Sequence, residues 1–82
     1  MRLYTLDRKS CNISGERIRQ WRTAHSLTQE ELAIQMQLNG LQLGQMAISR
    51  IETGKRVVAD FELKIFSRVL GVTMDWLTGD EE

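Results

Sequence analysis

Apolar side chains recur along this 82-residue chain at three- and four-residue steps, and no stretch carries a strand signal. Ile18, Trp21 and His25 stand at i, i+3 and i+7 behind Ser14, an N-cap residue type, with Glu16 in the first turn, and predict a first helix over about 15–25. His25 reads as a residue favoured by the dipole at the helix end. The second start is the sharpest. Thr28 and Glu31 form the T-x-x-E capping box and Leu27 and Leu32 a hydrophobic staple, so a helix begins at Gln29 and runs to about residue 36 or 37, burying Leu32, Ala33 and Met36. Between Gly44 and Gly54, Ala47, Ile48 and Ile51 make one stripe, while Gln45, Met46, Ser49 and Arg50 lie off it. Gly54 suits the left-handed stop of that third helix, and Lys55 and Arg56 follow at its negative end. Asp60 is expected to cap a fourth helix over about 61–70, with Phe61, Ile65, Phe66, Val69 and Leu70 inward and Gly71 ending it. Thr73 caps a short fifth helix over 74–77, whose Trp76 and Leu77 close the core.

The remaining segments have no such period. Residues 1–13 read as an N-terminal arm, 14–78 as the folded domain and 79–82 as an acidic tail. The connection from Gln37 to Leu43 holds the turn pair Asn39 and Gly40, with Leu38, Leu41 and Leu43 expected to cover the gap between helices 2 and 3. Val57 and Val58 are more apolar than a solvated loop requires.

Length bounds the chain to one small domain with one core. A single cysteine, Cys11, cannot close an internal disulfide, and a single histidine supplies no zinc-ligand set, so packing alone must hold the fold. No apolar run is long enough to span a bilayer and the first residues lack a signal-peptide core, which makes a cytoplasmic location the expectation. Eleven basic residues balance eleven acidic ones, but unevenly. Residues 1–25 hold six basic and two acidic side chains, whereas 59–82 hold two basic and six acidic. A basic front of this kind steers toward a phosphate backbone even at zero net charge.

Catalysis finds no support in these residues: there is no paired carboxylate set, no activated nucleophile and no glycine loop that cradles phosphate, and no cofactor, metal or small-molecule ligand is implied. The polar face of the third helix is the informative feature. Glutamine and arginine make bidentate contacts to adenine and guanine edges, and a helix fits the major groove, so this stretch reads as a DNA recognition helix. Gln29, at the first position of helix 2, directs its backbone N–H outward, where a phosphate can accept. Met46 fits a thymine methyl group but is also the adaptable residue of protein-binding surfaces. The competing function is therefore a protein-interaction module, such as an antitoxin or a phage-regulator partner, on the same fold.

Thr28 to Ala33 (TQEELA), Ala47 to Arg56 (AISRIETGKR) and Leu70 to Leu77 (LGVTMDWL) together resemble the phage repressor and Cro-type helix-turn-helix family, across roughly residues 14–78. The resemblance implies an all-α, compact five-helix, lambda-repressor-like DNA-binding domain that acts as a transcriptional repressor. It implies base reading by Gln45, Met46, Ser49 and Arg50, phosphate contacts by Gln29, Lys55 and Arg56, and an ion pair between Arg22 and Glu52. One departure stands out, because the segment joining helices 2 and 3 exceeds the usual three or four residues. One recognition helix reads only about three or four side chains' worth of base edges, so a homodimer on an inverted repeat is expected, with half-sites about 34 Å apart. Its contact is expected among Val57, Val58, the arm residues Leu3, Tyr4 and Leu6, or helix 5.

Overall fold

A computed structural model describes residues 10–79; Leu3, Tyr4 and Leu6 of the arm and the acidic residues 80–82 lie outside the described residues. Among the described residues five helices follow in order: α1 (Gly15–Ala24), α2 (Gln29–Leu38), α3 (Gln45–Glu52), α4 (Asp60–Leu70) and α5 (Met74–Leu77). The core draws Ile18 from α1, Leu32, Ala33 and Met36 from α2, Ile48 and Ile51 from α3, Phe66 and Leu70 from α4 and Leu77 from α5. Helix α2 packs on α3 and α4, α1 on α3 and α5, and α4 on α5. The stripes of all five helices thus meet in one apolar centre.

Helix starts are set by short polar bonds. Thr28 Oγ1 accepts from the Glu31 N–H at 3.0 Å and Glu31 Oε1 accepts from the Thr28 N–H at 2.9 Å, the reciprocal capping box expected of α2. Thr73 Oγ1 accepts from the Trp76 N–H at 3.0 Å at the start of α5. Helix ends share another device. After α1, α2 and α3, the residue two past the last helical one donates to the carbonyl one residue back from that last one, and the next residue donates one residue further back. These pairs are Ser26 to Thr23 and Leu27 to Arg22, Gly40 to Gln37 and Leu41 to Met36, and Gly54 to Ile51 and Lys55 to Arg50. The arrangement satisfies carbonyls that the helix leaves open, and it needs a left-handed residue at its pivot. Gly54 supplies this at φ 76°, whereas Ser26 adopts φ 56° without that freedom.

Four expectations from the sequence are corrected. Ser14 sits at the N-cap of α1 but its hydroxyl caps nothing; the Asn12 side-chain oxygen accepts from the Gly15 N–H at 2.8 Å instead. Asp60 is the first residue of α4, not its cap: Ala59 takes the extended cap conformation, and Glu62 Oε1 accepts from the Ala59 N–H at 3.0 Å. Phe61 is 60% exposed, because a helix beginning at Asp60 turns Leu63 rather than Phe61 toward the core. Leu38 is 75% exposed, because α2 continues through it and carries it to the outer face. Leu41 and Leu43 alone fill the gap, both buried, and Gln37 Nε2 donates to the Leu43 carbonyl at 2.9 Å to hold the lengthened connection in place.

Candidate nucleic-acid interface

Helix α3 is divided by its own sequence period. Ile48, Ile51 and Glu52 are buried, while Gln45, Met46 and Arg50 are exposed and Ser49 is half-buried. Met46 stands 61% exposed on this side of the helix. The four side chains expected to read bases therefore share one accessible side of one helix. Gly44 caps that helix through its extended backbone, with no side-chain bond to the first turn.

A chain of polar contacts joins this face to α2 and α1. Gln45 Nε2 donates to Gln29 Oε1 at 2.7 Å, and Gln29 Nε2 donates to Glu52 Oε1 at 3.1 Å. Arg22 completes the chain with a bidentate pair, Nε to Glu52 Oε2 at 2.7 Å and Nη2 to Glu52 Oε1 at 2.9 Å. Its remaining Nη1 donates to the Leu27 carbonyl at 2.8 Å. The Glu52 side chain is 1% exposed and Arg22 13%, so every member of this buried pair has its partner. Hydrogen bonding from Arg22 to Glu52, reinforced by the attraction between their charges, holds the guanidinium above its ordinary pKa against the opposing effect of burial. Arg22, Thr28, Gln29, Glu30 and Gln45 line a shallow polar cleft where the starts of α2 and α3 meet.

Past α3, the two expected phosphate ligands differ. Lys55 is exposed and forms no ion pair among the described residues. Arg56 is held: Nη1 donates to Glu62 Oε1 at 2.9 Å and to the Val57 carbonyl at 2.9 Å, and Nη2 donates to Glu62 Oε2 at 2.8 Å. The bond from Arg56 is the main reason the Glu62 carboxyl lies below the usual range; the Ala59 N–H and the Arg56 charge add to it, and burial opposes it.

Two participants escaped the sequence reading. Asn12 donates from Nδ2 to the Ile51 carbonyl at 3.0 Å and to the Arg56 carbonyl at 2.8 Å, tying the segment before α1 to the end of α3. An asparagine just ahead of a helix start was its only signal. Glu62 had no such signal, because Ala59, three residues before it, carries no side-chain oxygen to mark a capping box.

This geometry defines a class: a small all-α domain in which α2 and α3 are braced against one another and α3 offers a polar face to the outside. The helix-turn-helix family profile matches residues 18–77, and the chain belongs to that family. The resemblance to phage repressor and Cro-type regulators is thereby upheld. The fold is similar to that of the P22 c2 repressor, whose crystal structure was determined in complex with synthetic operator 9T in the presence of Tl+. That likeness has a TM-score of 0.70 at 24% sequence identity and covers 85% of this chain and 98% of the other. No curated protein matches the sequence.

Proposed function

We propose that this protein is a sequence-specific DNA-binding transcriptional repressor that places α3 in the major groove of double-stranded DNA. The observation that carries the reading is the division of α3, with Ile48 and Ile51 fully buried while Gln45, Met46 and Arg50 face outward. These side chains match base-edge chemistry: amide to adenine, guanidinium to guanine, thioether to a thymine methyl. Gln29, bonded to both Gln45 and Glu52, fixes the start of α2 relative to α3, where its backbone N–H meets a phosphate. Lys55, which forms no ion pair among the described residues, supplies a cation past the far end of α3. Arg56 contributes to the same backbone through its outer edge while Glu62 holds its fork. The P22 c2 likeness supports this reading, since that repressor was seen on operator DNA.

The protein acts as a homodimer on an inverted-repeat operator, and Val57 and Phe61 supply the contact. Val57 is 39% and Phe61 60% exposed, four residues apart at the entry to α4. Val58 packs on the core and is less available. Selection of tight-binding duplexes from a random-sequence pool, followed by mobility shift, tests the proposal. The expected product is an inverted repeat on which Arg50→Ala loses about 1–3 kcal/mol of discrimination at one base position in each half-site. Recovery of no common sequence would overturn it.

A further inference from the structure

Residues 10–14, ahead of α1, belong to no helix, yet they are tied to the end of α3 at several points. The Cys11 N–H donates to the Gly54 carbonyl at 2.7 Å. Asn12 spends both amide hydrogens on carbonyls either side of that glycine, Ile51 before it and Arg56 after it, while its oxygen receives the Gly15 N–H. The approach is close enough to dictate residue type. A Cβ on Gly15 would stand 2.1 Å from the Ile51 carbonyl oxygen, and one on Gly54 would stand 2.5 Å from Ser10 Oγ. Residues 10–15 thus form a strap across the last turn of α3, and the two carbonyls that Asn12 grips bracket Lys55.

We propose that Asn12 is a positioning residue for the contact between Lys55 and the DNA backbone, a role that rests on the DNA-binding reading above. Lys55 is a long cation on a tight turn, without an ion-pair partner among the described residues, and its reach to a phosphate depends on where that turn sits relative to α3. The turn has its own backbone bonds from Gly54 to Ile51 and from Lys55 to Arg50, but these fix only its shape. Asn12 fixes its orientation, because it holds the carbonyl entering the turn and the carbonyl leaving it to one rigid amide. A phosphate contact supplies sequence-independent affinity, so the strap governs how tightly any duplex is held and leaves base reading to the outward side chains of α3 itself.

The test is a double-mutant cycle on the full chain, read by fluorescence anisotropy with a mixed-sequence duplex of about 20 base pairs at low salt. In Asn12→Asp the side-chain oxygen still accepts from Gly15, but no donor remains for Ile51 or Arg56. Lys55→Ala is expected to weaken wild-type binding about fivefold and to weaken the Asn12→Asp protein less than about twofold, with a shallower salt dependence in both. Asn12→Ala, run in parallel at temperatures where helix content by circular dichroism equals wild type, should behave in the same way. Full additivity of the two losses would overturn the role of Asn12 while leaving DNA binding intact. Failure of the wild-type protein to bind the duplex would overturn both readings. Loss of folding in both Asn12 variants would make it a residue of stability alone, and would equally overturn the role.

Discussion

Single residues in this fold are judged by what surrounds them rather than by type. Gly15 and Gly44 both begin helices, yet a Cβ at Gly15 would meet backbone at 2.1 Å and one at Gly44 would meet nothing within 4 Å. Gly15→Ala is therefore expected to lower the urea midpoint by the equivalent of about 2 kcal/mol or more, since a carbonyl cannot move aside as a side chain can. Gly44→Ala should change it by less than about 1 kcal/mol. Equal effects would deny the close approach of α1 to α3. The same reasoning separates Arg22 from Glu52. Removing the arginine leaves a buried carboxylate with only Gln29 as a side-chain donor, so Arg22→Met should cost about 3 kcal/mol. Arg22→Met combined with Glu52→Leu should recover most of that loss, because an apolar pair carries no charge to desolvate. A double variant as unstable as the sum of the single variants would contradict this account.

Among the elements, α4 contributes a pH-sensitive anchor. Glu62 joins the Arg56 guanidinium to the Ala59 N–H, and its carboxyl is held below the ordinary value in the folded chain. A group whose pKa falls on folding contributes stability above its unfolded value and loses it as pH drops through the folded value. Urea unfolding should show this contribution intact above about pH 5 and declining below the ordinary glutamate range near pH 4.5, with a shallower decline in Glu62→Gln. Identical acid profiles would remove Glu62 from the anchor. This element also shows what a sequence can and cannot convey. The helical stripes and the box at Thr28 and Glu31 were legible because they depend on neighbours three or four positions away. Leu38 and Phe61 were placed inward because both are apolar near the edge of a stripe, where one residue of helix extension turns a side chain outward. Asn12 was invisible for a different reason: its partners lie 39 and 44 residues downstream, and no local pattern encodes them. The Arg56–Glu62 pair joins a loop residue to a helix residue six positions on, a spacing that no helical period marks.

For the whole molecule, the proposed reading makes discrimination among operator sequences turn on pairing two copies. Phe61→Glu should leave folding unchanged, since the ring is mostly exposed, and should abolish the proposed dimer through like-charge contact at a two-fold axis. Sedimentation would report a monomer, and footprinting would show one protected half-site in place of two. A Phe61→Glu protein that still sediments as a dimer would move the interface elsewhere.

The strap of residues 10–15 also bears on the order in which the fold assembles. Its bonds to the end of α3 close loops of about forty residues, and they are made by a few polar groups rather than by core side chains. Closing a long loop costs chain entropy before any contact compensates it, and segments with little buried apolar area open well below the global transition. Among the described residues the strap is thus expected to dock last and to fray first. On warming, hydrogen exchange should quicken at Gly15, whose amide is held by the Asn12 side chain, while Ile48 and Ile51 remain protected. The grip on DNA should then weaken over a range of temperature in which the helices themselves are still whole.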